Sequence, residues 1–291
     1  MLNKPSWRGF SPDVQSPNST NMTRTETMKY TYEELAKMID HSLLHPVMTD
    51  RELEEGCKVA AKYGVASVCI KPYAVRRAVE LLQGTGVFVG TVIGFPHGNA
   101  STESKRYETE LACCDGAVEI DMVINLGKAL SGEWDYVESD VKAVCSEAHK
   151  RGAKVKVILE NDYLTQGGAG LCGDDFKQKL CQLCERAGAD WVKTSTGYGF
   201  VKQPDGSYNY KGATEHDLAL MRASVSAKVQ VKAAGGVRDL DGLIKVRDLG
   251  ASRCSATATA AMLDEYRRRE ALVKTGVTSA TRSGSIGAGG Y

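Results

Sequence analysis

The sequence predicts an α/β protein folded as one closed barrel of eight parallel strands wrapped by helices, and three observations predict it. First, one junction recurs: a polar segment of helical period ends at Gly and runs into an apolar, β-rich stretch, as in KYGVASVCI, CDGAVEIDMVI, KRGAKVKVILE, RAGADWVKTS and DLGASRCSA. Each Gly supplies the left-handed cap that ends a helix before a strand begins. Second, the glycines at 116, 152 and 188 are 36 residues apart, which suits one repeated strand-helix unit. Third, strand and helix patterns alternate through eight units, and that number favours closure into a TIM barrel over an open doubly wound sheet. No GxGxxG follows the first strand, so a dinucleotide-binding fold finds no support.

Taken in order, apolar and β-branched runs place strands near 37–41, 66–70, 87–94, 117–124, 154–160, 190–195, 228–233 and 251–255. Amphipathic patterns place helices near 50–63, 72–83, 101–114, 134–150, 174–187, 213–225, 239–248 and 257–274. The chain of 291 residues suits this architecture, because such barrels use about 250 residues as a single domain. Residues 1–28 are rich in Ser, Thr, Asn and Pro without an apolar core, so they read as a disordered leader rather than a secretory signal. Residues 29–275 form the barrel domain, and the Gly- and Ser-rich stretch 276–291 reads as a flexible tail ending in Tyr291.

Lys and Arg number 37 against 36 Asp and Glu, so no general attraction to nucleic acid or to an anionic membrane is expected. No apolar run reaches the roughly 18 residues needed to span a bilayer. Nine cysteines are scattered without the spacing of a disulfide framework, which points to a reducing, cytoplasmic setting. Cys181 and Cys184 form a CxxC, but no second Cys or His pair accompanies it at zinc-like spacing, and a buried helix face explains it better.

Reacting groups of such barrels sit where strands pass into their helices. Asp40, Cys69, Asp121, Lys156, Lys193 and Lys232 occupy the expected strand ends. Lysine is seldom buried unless paired, so three on apolar strands need an explanation. Mutual repulsion would hold one amine neutral near pH 7 and make it a nucleophile toward carbonyl carbon. Lys193, in WVKTSTGYG, is the best candidate, followed at once by hydroxyls and glycines. In VQVKAAGGVRD, Lys232 precedes Gly235, Gly236 and Arg238 at a helix start, a combination suited to cradling phosphate. Asp121 is either a salt-bridge partner of Lys156 or Lys232, or a proton carrier as well. Cys69 reads as a pocket wall, His97 as a structural loop residue.

These motifs together resemble the deoxyribose-phosphate aldolase family of class I aldolases. The resemblance runs from IDHSLL at 39 to the helix after 255 and includes VCIKP, TVIGFPHG, EIDMVIN, KVILE, KTSTG, GAT and VKAAGGVR. It implies retro-aldol cleavage of 2-deoxy-D-ribose 5-phosphate to D-glyceraldehyde 3-phosphate and acetaldehyde, without cofactor or metal. It further implies Lys193 as the Schiff-base former, Lys232 as the lysine that lowers its pKa, and Asp121 as the proton relay. Lys156 belongs to their network, Gly197, Gly235, Gly236 and Arg238 fall at the 5-phosphate, and Tyr291 is similar to a tail tyrosine that visits the site. Members of the family are often dimers or larger.

Some positions depart from the family. RCSATAT at 253–259 stands where a segment like RIGTSS is usual, with Ser255 in place of glycine and Thr257 in place of serine. A hydroxyl is retained, but the added side chain would crowd a phosphate. The loop GFVKQPDGSYNYKGAT is longer than common and offers Lys202 and Tyr208 to the mouth, and Asn161 replaces the usual threonine. Two rivals stay open: a related Schiff-base aldolase acting on another phosphorylated carbonyl compound, and a catalytically silent sugar-phosphate binder.

Overall fold

A computed structural model of the protein describes residues 28–275; the leader, apart from Met28, and the tail with Tyr291 lie outside them. A short helix α1 (Tyr32–Ala36) precedes β1 (Ile39–Leu43) and α2 (Asp50–Tyr63), followed by β2 (Ser67–Ile70), α3 (Val75–Leu82), β3 (Phe88–Ile93) and α4 (Thr102–Cys114). Then come β4 (Glu119–Val123), α5 (Leu126–Leu130), α6 (Trp134–Lys150), β5 (Lys154–Ile158), α7 (Asn161–Leu164), α8 (Gly173–Arg186) and β6 (Trp191–Lys193). The hairpin β7 (Val201–Lys202) and β8 (Tyr208–Asn209) interrupts the alternation before α9 (Glu215–Ser224), β9 (Gln230–Ala233), α10 (Leu240–Asp248), β10 (Ala251–Ala256) and α11 (Thr259–Thr275).

The eight long strands close in the order β1-β10-β9-β6-β5-β4-β3-β2, each pair parallel. The expected TIM barrel is therefore the observed fold. Helix ends follow local chemistry. In α2, Thr49 and Glu52 form a reciprocal capping box, and Gly64 ends the helix at φ 63°. The three evenly spaced glycines all take positive φ: Gly116 at 104°, Gly152 at 77° and Gly188 at 93°.

Because side chains alternate along a strand, each strand sends one set outward to the helices and the other into the barrel. The outward set, including Val68, Ile120, Met122, Val155, Val157, Val192 and Val231, forms one continuous apolar core with the inner faces of the helices. The inward set carries Asp40, Asp121, Lys156, Lys193 and Lys232, all buried. Cys181 and Cys184 lie fully buried on the inner face of α8.

Three helices of one turn or slightly more, α1, α5 and α7, were not expected, since four or five residues are too few to display a helical period. The first strand begins two residues later than expected, because Thr31 and Glu34 cap α1 and the chain leaves that helix only at Lys37.

Candidate active site

The barrel interior is an ion-pair lattice. The Asp121 carboxylate on β4 accepts from three ammonium groups: Lys193 and Lys232 at 2.7 Å on one oxygen, and Lys156 at 3.2 Å on the other. Lys232 also reaches Asp40 on β1 at 2.6 Å, and Lys156 reaches Asp40 at 3.1 Å and Glu119 at 2.5 Å. Arg253 on β10 closes the lower side, bonding Asp40 and, at 2.5 Å, Glu119. Ser67 donates to Asp40 at 2.8 Å. The Trp191 ring lies beside this layer, with the Arg253 guanidinium 5.5 Å from its centroid.

The expectation that all these groups sit at strand ends is corrected for three of them. Asp40 is the second residue of β1, while Asp121 and Lys156 are the central residues of β4 and β5. They form the layer beneath the mouth. Lys193 does end β6, and Lys232 lies one residue short of the end of β9. For Asp40 the reason is register, since β1 starts and ends two residues later than its apolar run suggests.

Burial lowers the Lys193 pKa from the ordinary lysine value; Asp121 opposes this, and the Lys232 charge reinforces the lowering. Burial therefore leads and repulsion contributes, a different weighting from the lysine-pair argument. Lys232 moves the opposite way: burial would lower it, but Asp121 and Asp40 outweigh burial and raise it well above the ordinary value. Asp121 is driven down despite burial because Lys156, Lys193 and Lys232 surround it. Two lysines sharing one carboxylate oxygen are thus separated into an amine that sheds its proton readily and an ammonium that keeps it.

Above this layer, Cys69, Leu44 and Val92 form a small apolar cluster joined by Phe95 and Tyr198. Burial pushes the Cys69 thiol up to about 11, so it is a neutral thiol at physiological pH. The other side of the mouth is built from glycine. Gly197, Gly235 and Gly236 all have φ between 81° and 92°. A Cβ on Gly235 would lie 1.9 Å from the Tyr210 hydroxyl oxygen and 3.0 Å from the Gly212 Cα. Ser255 is buried on β10, whereas Thr257 and Arg238 are exposed. Of the long loop, Lys202 and Tyr208 face solvent; Tyr210 is the residue that turns inward. Among the described residues, no group of three or more His, Cys, Asp or Glu side chains is arranged to hold a metal ion.

A model of the DeoC/LacD family aldolases matches residues 35–260, the span that contains every strand of the barrel. The chain belongs to the DeoC/LacD aldolase family. It is 47% identical over 255 residues to a deoxyribose-phosphate aldolase of Rhodopirellula baltica, covering 88% of this chain and 98% of that one. A deoxyribose-phosphate aldolase of Clostridium kluyveri is 44% identical over 233 residues, covering 80% and 98% of the two chains. Among solved structures, the tetrameric deoxyribose phosphate aldolase from Aeropyrum pernix superposes with a TM-score of 0.70 at 29% identity, covering 81% and 92%.

In this DeoC/LacD aldolase, sequence reasoning missed several residues of the polar interior. Glu119 and Arg253 were passed over as ordinary strand residues. Their signal was alternation: both lie two residues from an inward position on their own strand. Glu160 was also missed. It sits just past β5 with φ 57°, is buried, and accepts from the Thr196 amide and hydroxyl. His41, buried on β1, bonds the Thr259 hydroxyl at 2.8 Å, and burial lowers its pKa to about 4, so it is a neutral structural residue.

Proposed function

We propose that the chain is a deoxyribose-phosphate aldolase, a carbon–carbon lyase that cleaves 2-deoxy-D-ribose 5-phosphate reversibly through a Schiff base on Lys193. The observation that carries this reading is the split between Lys193 and Lys232 on the shared Asp121 oxygen. The Lys193 amine adds to the C1 aldehyde of the open-chain sugar, and the carbinolamine loses water to give an iminium. A base removes the C3 hydroxyl proton, the C2–C3 bond breaks into the iminium, and glyceraldehyde 3-phosphate leaves. The remaining enamine takes a proton at C2, and water releases acetaldehyde and restores the amine. Asp121 and Lys232 are assigned the proton transfers, each within hydrogen-bond reach of the Lys193 position or of one another.

Lys156 is assigned to holding Asp121 and Asp40 rather than to touching sugar, because it lies among three carboxylates in the lower layer. Gly197, Gly235, Gly236 and Ser255 are assigned to the 5-phosphate side, with Arg238 supplying charge from its rim and Thr257 beside it. Tyr291 keeps its proposed visiting role, which falls outside the described residues. A homo-oligomer is proposed from the tetrameric relative, and a cytoplasmic location from the nine cysteines, all free thiols. No helix among the described residues is long and apolar enough to cross a membrane.

The test is to incubate the protein with acetaldehyde, reduce with borohydride and map the adduct. Modification of Lys193, lost in Lys193→Ala, is expected. An adduct on another lysine, or none, overturns the assignment. A substrate panel with and without phosphate separates this activity from a related aldolase reaction, the alternative that the altered 253–259 segment favours.

A further inference from the structure

Glu160 combines three features that its neighbours lack. Its backbone has φ 57° and ψ 61°, a region that residues bearing a Cβ avoid and that is held only when the surroundings over-determine it. Its side chain is 1% exposed. Its carboxylate accepts from neutral donors, the Thr196 amide at 3.2 and 3.3 Å and the Thr196 hydroxyl. Helix capping does not account for this arrangement, since Glu160 makes no side-chain bond to α7.

The partner decides what the arrangement does. Thr196 is three residues beyond Lys193, and its hydroxyl accepts from the Tyr198 amide at 2.9 Å. The next backbone amide, Asn161 N–H, donates to the Thr194 carbonyl at 3.0 Å. Gly199 closes over the carboxyl group so tightly that a Cβ there would come within 2.6 Å of the Glu160 Cδ. Tyr198 in turn places its ring in the apolar wall 5.6 Å from Phe95. One carboxyl group therefore joins the strand end that carries Lys193 to the wall of the pocket above it.

We propose that Glu160 is a positioning residue for the aldol site: its carboxylate fixes Thr196, and through Thr196 the 194–199 segment that shapes the pocket beside Lys193. This rests on the aldolase reading above. An ionised carboxylate accepts from both Thr196 donors with its full charge, whereas the protonated group loses that charge and holds them more weakly. Burial pushes this carboxyl group up to about 7; the Thr196 bonds oppose the rise, Asp162 on α7 adds to it, and Lys193 on β6 draws it down. Tyr163 on α7 is a further titratable neighbour, and Tyr198 lies on the segment that Thr196 holds. The hold is thus present above neutral pH and loosens below it.

The test uses unphosphorylated 2-deoxyribose, which has no group titrating between about pH 5.5 and 8.5, so any inflection in that range comes from the protein. In the full-length protein, KM is expected to rise by about tenfold as pH falls through about 7, the loss of one charge-assisted hydrogen bond. Glu160→Gln keeps an acceptor but cannot titrate, so the step near pH 7 is expected to disappear, leaving only the gradual dependence that the Lys193 amine imposes. Glu160→Ala is expected to raise KM at every pH while kcat changes less than about threefold. A wild-type KM without the inflection, or an inflection that persists in Glu160→Gln, overturns the proposal. Borohydride trapping on the same variants separates failure of this idea from failure of the aldolase reading: a retained Lys193 adduct leaves the latter standing.

Discussion

Replacing Asp121 with alanine removes the carboxylate that three buried lysines share, at 2.7, 2.7 and 3.2 Å. Lys232 and Lys156 keep Asp40, and Lys156 keeps Glu119, but Lys193 has no other ion-pair partner among the described residues. Removing one member of a buried ion pair costs about 3–5 kcal/mol. A domain has about 5–15 kcal/mol of stability in total, so Asp121→Ala is expected to fold with a markedly lower urea midpoint and an unchanged m-value. The pH dependence gives a second check. In the wild type the folded-state Lys232 value is raised, so its contribution is complete below the unfolded value of about 10.4 and is lost as pH rises through the folded value. In Asp121→Ala, Lys193 is buried without a counter-charge, so its folded value, already lowered in the wild type, falls further below the unfolded one. The unfolded chain then binds more protons, and the stability of the variant rises with pH. The gap between the two proteins is therefore expected to narrow between about pH 7 and pH 10. A loss under about 1 kcal/mol, or a gap constant across that range, refutes the shared-carboxylate argument.

Two further outcomes follow from the glycine side of the mouth. Gly235→Ala places a methyl group 1.9 Å from the Tyr210 hydroxyl at a residue with φ 89°, and is expected to cost about 2–4 kcal/mol from overpacking and left-handed strain. In a thermal-unfolding double-mutant cycle, the same change should cost less in a Tyr210→Phe background; equal costs would show that the hydroxyl does not set the constraint. Arg238→Ala is expected to raise KM for the 5-phosphorylated sugar by about tenfold while leaving that for unphosphorylated deoxyribose unchanged. An equal change in both would remove Arg238 from phosphate recognition.

Much of the site was legible because its residues lie in distinctive local settings. Lys193 and Lys232 interrupt apolar strands and are followed by TSTG and AAGG, so a buried cation beside flexible backbone is visible without coordinates. Asp121 stood out equally, as a carboxylate between Ile120 and Met122. Arg253 and Glu119 did not, since in RCSA and VEID their only local hint of burial is alternation with an inward neighbour two residues away. Glu160 escaped for another reason: its left-handed backbone and its contact with Thr196 arise from two loops that meet only when β5 and β6 are side by side. The hairpin β7–β8 was foreseen as a long loop, but which of its side chains turned inward was not.

The sequence by itself determined the fold class, the eightfold alternation and the identity of the two mouth lysines. These depend on local capping, hydrophobic period and the cost of burying a lone charge, all of which can be read within a few tens of residues. Only the tertiary structure decided which charges neutralise one another and at what depth. Arg253 meets Asp40 across 213 residues of chain because β1 and β10 are joined at the seam of the barrel. Closure of the barrel also sets how much water each amine loses and which carboxylate it faces, so the opposite displacement of Lys193 and Lys232 from the ordinary lysine value depends on the whole ring of strands.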